Sequence, residues 1–206
     1  LLHDGDDFLC LRYNLGRQLR TKQEPLPSRN RDNAAAISML ILANPTADLA
    51  ACYREGIEIR NRLDHLRNRI RVDFKSTSID TFYLKKNLCE YDLVHFAGHC
   101  EYDSLNPDAS GWALKDGRFT ARDIAALGQA GFLPSLVFSN ACHSAREEFA
   151  VNEEGCQAAT HNLATAFLFS GVRHYIGAAW HLQDAAALNF AQSFYAQLTR
   201  GQSVGE

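Results

Sequence analysis

The 206-residue sequence has no excess of charge of either sign, since 21 lysines and arginines face 24 aspartates and glutamates. A protein without a strong positive field does not attract a polyanion, which argues against nucleic acid as its primary partner. No apolar run approaches the ~18 residues that a membrane-spanning helix needs. The first residues, Leu1 to Asp4, have neither the basic start nor the apolar core of a signal peptide. The sequence therefore predicts a protein that contacts neither nucleic acid nor a membrane directly.

Cysteine is present, but not in the pattern of a metal site or a disulfide framework. The six cysteines are irregularly spaced and include no Cys-x-x-Cys pair, so a structural zinc site has no support. In a chain of this length we expect reduced thiols, a cytoplasmic location and no metal or organic cofactor. The six are Cys10, Cys52, Cys89, Cys100, Cys142 and Cys156.

Methionine is scarce, since Met39 is the single one and the chain does not begin with it. The length suits one domain over residues 1–206 with a sizeable buried core. We expect this domain to be a piece of a longer polypeptide that also carries a regulatory repeat or sensor domain.

What the sequence does contain is an alternation of strand and helix patterns. Four apolar runs have the length of buried strands: residues 35–45, 91–97, 135–141 and 172–180. After the first run, Leu49, Tyr53 and Ile57 recur at helical spacing, and Thr46 is expected to cap their helix. Thr120 is expected to cap a later helix. Such alternation predicts an α/β fold with a mostly parallel sheet and helices on both faces.

Reactive side chains follow three of these runs. The second run leads to His99, the third to Cys142 and the fourth to Asp184, at intervals of 43 and 42 residues. The carboxyl ends of parallel strands share one edge of the sheet, and catalytic groups gather in the crevice there. We therefore predict that these three side chains meet in one cleft.

A cysteine and a histidine side by side are the minimum for acyl transfer. A free thiol is mostly protonated at neutral pH, and a neighbouring imidazole can remove its proton or donate one to a leaving amine. The oxyanion that forms needs backbone N–H donors, for which the amides of Cys100 and Cys142 are the candidates. The pattern predicts a cysteine peptidase with His99 and Cys142 as its catalytic pair.

Two motifs carry a family resemblance. HFAGHC (95–100) and SNACHSA (139–145) resemble the histidine and cysteine motifs of caspase-like peptidases. More closely, the chain is similar to the CHAT domain, a caspase-like domain that is often fused to TPR repeats and is related to separase. The similarity runs over nearly the whole length, through ILANPTADLAACYREGIEI (41–59), YDLVHFAGH (91–99), LVFSNAC (136–142) and NLATAFLFSGVRHYIGAAWHLQD (162–184).

The resemblance implies a three-layer caspase-like sandwich in which His99 and Cys142 form a catalytic dyad. It implies an endopeptidase that cleaves a partner protein through a thioester intermediate. Separase-like members read a basic P1 residue, the residue just before the scissile bond, with an acidic side chain after the W…D strand end. Here that position is Asp184. Caspase-like enzymes often have a cleavable segment after the nucleophile, which would make Arg146, in residues 146–157, the candidate self-cleavage point.

Two positions depart from the family pattern. Cys100 stands where the family usually has glycine, so a side chain is expected to crowd the oxyanion site. Asn140 stands where metacaspase-like relatives have aspartate, two residues before the cysteine. Selection of a basic P1 residue then depends on Asp184 alone.

Other interpretations of the same residues stay open. The change at Cys100 is compatible with a catalytically inactive caspase-like scaffold or signalling module. A metal-dependent hydrolase would use His95, His99 and Cys142, although the two histidines stand roughly 13 Å apart on a strand that rises ~3.3 Å per residue. We expect His95 to be structural or to support the catalytic pair. Asp184 stands where a helix N-cap belongs, and capping would compete with substrate binding for its carboxylate.

Overall fold

The computed structural model describes residues 5–9, 12–13, 16, 24–28, 36–145 and 162–205, and the backbone alone of 150–151 and 157–158. The strands are β1 (Ile37–Ala43), β2 (Ile70–Lys75), β3 (Leu93–Ala97), β4 (Cys100–Glu101), β5 (Gly111–Leu114), β6 (Gly117–Thr120), β7 (Leu136–Asn140), β8 (Ala150–Val151), β9 (Gln157–Ala158) and β10 (His174–Gly177). The helices are α1 (Ala50–Leu63), α2 (Thr81–Asn87), α3 (Ala121–Ala130), α4 (Leu163–Phe169) and α5 (Asp184–Leu198). None of these helices is both long enough and apolar enough to cross a membrane.

Five parallel strands form the central sheet, in the order β10-β7-β3-β1-β2. Helices α1 and α5 lie against one face, where Ile59 and Leu63 of α1 share an apolar core with Ala191 and Tyr195 of α5. Helices α2, α3 and α4 cover the other face. The predicted three-layer α/β sandwich with a parallel central sheet is therefore confirmed.

A small antiparallel sheet, β4-β5-β6, is fastened to the central sheet by Trp112 of β5. The indole stacks on Phe96 of β3 with the ring centroids 4.4 Å apart, and its Nε1–H donates to Ser139 Oγ of β7 at 2.8 Å. All three residues are buried. Trp112 thus holds this sheet against the two strands that lead to His99 and Cys142.

Asp92 joins the amino ends of three neighbouring strands. Its Oδ2 accepts hydrogen bonds from the N–H and the hydroxyl of Ser38 in β1, each at 2.8 Å. Its backbone oxygen accepts from the N–H of Ser135, just before β7, at 2.9 Å. Since Asp92 itself precedes β3, one buried residue sets where β1, β3 and β7 start relative to one another.

The register that follows brings the ends of β3 and β7 level. Ala97, the last residue of β3, pairs with Asn140, the last residue of β7, and on its other side with Ala43 of β1. His99 and Cys142 each stand two residues beyond the first of these pairs. Neighbouring strands lie about 4.8 Å apart, so both side chains leave the sheet at the same edge.

Helix α1 differs from the prediction at its start and in the side that it buries. The N–H of Leu49 donates to Asn44 Oδ1 at 2.8 Å, while the Thr46 hydroxyl bonds Asp48, so the predicted Thr46 cap is wrong. Asn44, directly after β1, has a left-handed backbone (φ 55°), which asparagine tolerates, and its side-chain oxygen reaches the N–H of Leu49 just before α1. Tyr53, predicted to face the core, is 45% exposed. The buried residues of α1 are Glu55, Gly56, Ile59 and Leu63.

The two other predicted caps have different outcomes. Thr120 and Asp123 form the predicted capping box of α3, each side chain accepting the backbone N–H of the other residue. Helix α5 starts at Asp184, and its N-cap is Gln183, whose side chain makes no capping hydrogen bond. Asp184 is therefore the first residue of α5 and not its N-cap, so the alternative in which its carboxylate caps the helix is wrong.

Candidate active site

A pocket opens at the edge of the central sheet where β1, β3 and β7 end and where α1 and α5 begin. The three side chains that follow strands in the sequence line this pocket together: His99, Cys142 and Asp184. Cys52 and Glu55, which the sequence pattern does not connect with them, also line it, together with Asn140. With Cys100 and His181, the described lining combines three thiols and two imidazoles with the carboxylates of Glu55 and Asp184.

Cys142 stands in a tight turn that leaves β7. The next residue, His143, has a left-handed backbone (φ 58°), which is uncommon outside glycine and turns the chain sharply. The buried Ser144 holds the turn from inside, since its Oγ donates to Ser139 O at 2.9 Å and accepts from the N–H of Ala178 at 3.0 Å. The turn that carries the thiol is thus fixed by hydrogen bonds on both sides.

The segment between β10 and α5 wraps around this turn. The N–H of Ala145 donates to Ala178 O at 2.8 Å, and the N–H of Leu182 donates to the sulfur of Cys142 at 3.3 Å. A donor directed at sulfur holds the side chain in place. The thiol is therefore oriented by the chain segment that also carries Asp184.

The imidazole of His99 is held by a carboxylate. Its Nε2 lies 3.0 Å from Asp48 Oδ2, and both side chains are about half exposed. Hydrogen bonds from Thr46 and then from His99 hold the pKa of Asp48 below its ordinary value, so this carboxylate is ionised at neutral pH. With Nε2 engaged, Nδ1 is the ring nitrogen left for proton transfer.

The loop that presents Asp48 is shaped by two left-handed residues, Asn44 (φ 55°) and Ala47 (φ 63°). The N–H of Ala47 donates to Asn44 O at 3.1 Å, and the N–H of Asn44 donates to Ala97 O at 2.8 Å. Such conformations persist only where the surroundings enforce them. This loop is tied to the end of β3, the same strand that leads to His99.

The backbone N–H of Cys100 points away from β5. The N–H of Ala113 donates to His99 O at 2.9 Å, which makes Cys100 and Trp112 a non-hydrogen-bonded pair in the antiparallel ladder. The N–H of Cys100 is therefore directed outward at the edge strand, as an oxyanion donor requires. Its side chain packs against the core that includes Trp112, where burial raises the pKa of the thiol to about 12. Cys100 also lines the same pocket as His99 and Cys142, so the expected crowding of the oxyanion site by its side chain stays a prediction.

A buried hydrogen-bond network lies beneath the pocket. Glu55 Oε1 accepts from Asn140 Nδ2 at 2.7 Å and lies 2.8 Å from His95 Nε2. The other ring nitrogen of His95 lies 3.1 Å from the hydroxyl of Tyr195. Each of these side chains is buried. Both nitrogens of His95 are occupied, in keeping with the structural or supporting role expected of it.

The remaining pocket residues differ in their environment. Burial, and after it the charges of Glu55 and Asp184, raise the pKa of the Cys52 thiol to about 12. Asp184 is exposed, as the first residue of α5. In the part of the chain that the structure describes, no three His, Cys, Asp or Glu residues are grouped as a metal would require. The predicted segment 146–157 with Arg146 lies largely outside the described residues.

Comparison with protein families matches residues 1–206 to the CHAT domain. The chain belongs to the CHAT domain family. The resemblance drawn from the histidine and cysteine motifs is thereby confirmed. It places this CHAT domain among relatives of caspase-like cysteine proteases. A comparison with functionally curated proteins gave no match.

Among solved structures, this CHAT domain is similar to the separase–securin complex of Saccharomyces cerevisiae. The match has 14% sequence identity and a TM-score of 0.51, and it covers 87% of this chain and 10% of that chain. It shows a shared fold, and the CHAT domain spans about a tenth of the length of the separase chain. A second match, GSU0716 from Geobacter sulfurreducens, has 16% identity over 82% of this chain and 66% of that one. Its TM-score of 0.34 says nothing about a shared fold.

Sequence reasoning missed one residue that lines the pocket, Glu55, and one that contacts His99 from outside the lining, Asp48. If Leu49 and Tyr53 are taken to define the buried face of α1, Glu55 lies on the opposite, polar face. The spacing of Cys52, Glu55 and Ile59 is equally helical and defines the face that is buried. Asp48 stands in a loop, and its partner is 51 residues away. A reading of α1 that started from Cys52 would have found the first, whereas no local signal indicates the second.

Proposed function

We propose that this CHAT domain is a cysteine endopeptidase that cleaves a partner protein. Cys142 is the nucleophile and His99 the general base and acid. The observation that carries the proposal is that both residues line one pocket, each two residues beyond the Ala97–Asn140 pair. The pKa of the neighbouring Cys52 thiol, raised by burial, leaves Cys142 as the better candidate nucleophile at this pocket.

The geometry suits a two-step acyl transfer. The sulfur of Cys142 attacks the scissile carbonyl carbon as its proton passes to His99, and the oxyanion is held by the N–H groups of Cys100 and Cys142. The C–N bond then breaks, His99 gives the proton to the leaving amine, and a thioester remains. Water, deprotonated by His99, attacks the thioester and releases the acid and the thiol. Asp48 keeps the imidazole oriented throughout.

The proposal extends to the substrate and to regulation. An acidic pocket suits a basic P1 residue, and Asp184 is free of any capping duty that would compete with it. The separase structure is a complex with securin, which supports a protein as the partner of this fold. We retain the expectation of a cytoplasmic protein in which a repeat or sensor domain of a longer chain controls access.

Thiol alkylation distinguishes this enzyme from an inactive scaffold of the same fold. We expect iodoacetamide at neutral pH to modify Cys142 at least about tenfold faster than Cys52 or Cys100, since the thiolate is the reactive form and the pKa values of those two thiols are raised to about 12. Peptide mapping by mass spectrometry measures the rate at each cysteine. Labelling of Cys142 at the rate of Cys52 would favour the scaffold.

The orienting role of Asp48 is tested by two substitutions. We expect Asp48→Ala to lower kcat about fivefold with little change in KM, the scale of an exposed ion pair, because the imidazole loses the contact that orients it. Asp48→Asn should recover most of the activity, since an amide oxygen can still accept from Nε2. Steady-state kinetics on a cleaved peptide measures both.

Asp64→Ala is the matched control, because it removes an exposed aspartate of the same chain that pairs with Arg67. Its kcat should equal that of the unmodified protein. Equal kcat for Asp48→Ala and Asp64→Ala would show that His99 needs no orienting partner.

A further inference from the structure

We infer that the edge of the central sheet formed by β2 binds a partner protein through an extended segment rich in aspartate or glutamate. The inference does not depend on the peptidase proposal, because this edge and the candidate active site share no lining residue among those described. Three observations carry it: a concentration of arginine, a strand edge with open hydrogen-bonding groups, and arginines on both faces of that edge.

Arginine is concentrated where α1 ends and β2 begins. Residues 60–71 carry five arginines and one aspartate, in a chain whose net charge is −3. A groove of about 550 Å³ lies there, and its charged lining residues are Arg60, Asp64, Arg67 and Arg71. Asp64 accepts from Nε of Arg67 at 2.7 Å, whereas Arg60 and Arg71 have no carboxylate partner among the described residues. The groove therefore carries a net positive charge, which attracts acidic groups.

Strand β2 also leaves one side of its backbone open. It ends the order of described strands and pairs with β1 in parallel, with Ile37 opposite Ile70, and the N–H of Ile37 donates to Arg69 O at 2.6 Å. Because alternate residues of a parallel strand bond to the same neighbour, the N–H and C=O groups of Ile70, Val72 and Phe74 are directed away from β1. No described residue bonds them. Such an edge is a template for a further strand.

The free arginines lie on both faces of this edge. Val72 and Phe74 pack against the apolar core beneath α1, and on that face the guanidinium carbon of Arg60 lies 5.4 Å from the centre of the Phe74 ring. Because side chains alternate along a strand, Arg71 stands on the opposite face. The side chains of an added strand alternate in the same way, so two successive acidic residues would each meet an arginine.

The open backbone favours a peptide over other polyanions. A nucleic acid would be held by the arginines alone, because its phosphates cannot continue the hydrogen-bond ladder of β2. An extended peptide uses both the charges and the hydrogen bonds of the edge. Carboxylates also match arginine, whose planar guanidinium binds them with two N–H groups at once. The occupant that fits both features is an acidic polypeptide segment.

The charges are tested with a fluorescein-labelled peptide of ten glutamates, titrated with the full chain in about 0.1 M salt and followed by fluorescence anisotropy. We expect saturable binding to the unmodified protein. The double variant Arg60→Gln with Arg71→Gln should weaken it about tenfold, as the loss of two exposed charge pairs allows. Arg122→Gln with Arg200→Gln is the matched control, because both arginines are exposed and lie outside the groove lining. It should weaken binding less than about twofold.

The hydrogen bonds are tested apart from the charges. Val72→Pro removes an outward N–H but leaves the ladder to β1 and the net charge unchanged, which an edge strand tolerates. We expect it to weaken binding about fivefold, the scale of one hydrogen bond, and its melting temperature checks that it folds. A ten-glutamate peptide methylated on every backbone nitrogen keeps the charges but cannot donate. It should bind the unmodified protein at least about fivefold more weakly than the plain peptide.

Three outcomes would overturn the inference: no saturable binding of the plain peptide, an equal loss in the two arginine double variants, or equal binding of the plain and methylated peptides. The first would leave the arginines as charges that guard the edge against strand pairing. A labelled single strand of ten thymidines tests the other class of polyanion, and it should bind more weakly than the plain peptide and equally well to Val72→Pro and the unmodified protein. Tighter binding of this strand than of the peptide, lost in the Arg60 and Arg71 double variant, would make the edge a nucleic-acid site and overturn the inference.

Discussion

Replacement of Cys142 by alanine is expected to abolish cleavage, with kcat lowered at least about 10⁴-fold for every susceptible peptide, the scale of losing a catalytic nucleophile. The sulfur forms the bond to the substrate carbonyl, and the other two thiols that line the pocket, Cys52 and Cys100, have pKa values raised to about 12, which keeps them protonated at neutral pH. The fold should survive, because the half-buried side chain accepts a single described hydrogen bond, from the N–H of Leu182. Peptide turnover and thermal melting measure the two effects separately.

Cys52→Ala is the matched control for this variant. It removes a thiol from the same pocket, but the pKa of that thiol is raised to about 12, which keeps it protonated at neutral pH. Its turnover should stay within about threefold of the unmodified protein, the range of a pocket residue that does not react. Persistent cleavage by Cys142→Ala, or a comparable loss in Cys52→Ala, would show that Cys142 is not the nucleophile.

Gly111→Ala is expected to destabilise the fold strongly, because the added methyl group meets backbone atoms that cannot move away. A Cβ at position 111 would lie 2.3 Å from Phe119 O and 2.9 Å from Thr120 Cα, both backbone atoms of the paired strand β6. Backbone atoms cannot turn aside as a side chain can, so β5 and β6 must separate. We expect the free energy of unfolding to fall by about 3 kcal/mol and the melting temperature by about 10 °C.

Gly131→Ala provides the comparison, because there the nearest atom to the added methyl group would be Cys89 Sγ at 3.9 Å. Gly131 has an extended backbone (φ −173°), which any residue adopts. Its free energy of unfolding should change by less than about 0.5 kcal/mol. Equal melting temperatures for the two variants would mean that β5 and β6 are not packed as closely as the structure shows.

Local patterns in the sequence were sufficient for the architecture. The runs that form β1, β3 and β7 are apolar because each strand is covered on both faces, and their ends could be read from the residues that follow them. The capping box of Thr120 and Asp123 is equally local, since both hydrogen bonds join residues three apart. Features of this kind depend on neighbours in sequence and are therefore predictable from it.

The chemistry of the pocket floor depends on neighbours in space. Glu55 is buried because Asn140 and His95, on two different strands, supply its hydrogen-bond donors 85 and 40 residues away. Helical periodicity treats any glutamate as a surface residue and cannot anticipate such partners. The predicted cap of α1 is wrong for a related reason. The left-handed turn at Asn44 places its side-chain oxygen, and not the Thr46 hydroxyl, at the N–H of Leu49.

The turn that carries Cys142 has a mechanical consequence. Four hydrogen bonds join residues 142–145 to residues 178–182, which continue directly from β10, and β10 is the outermost strand on its side of the sheet. Any force that tilts or slides this border strand is transmitted through those bonds to the sulfur. The Cys142 sulfur and the border strand β10 are therefore expected to move together.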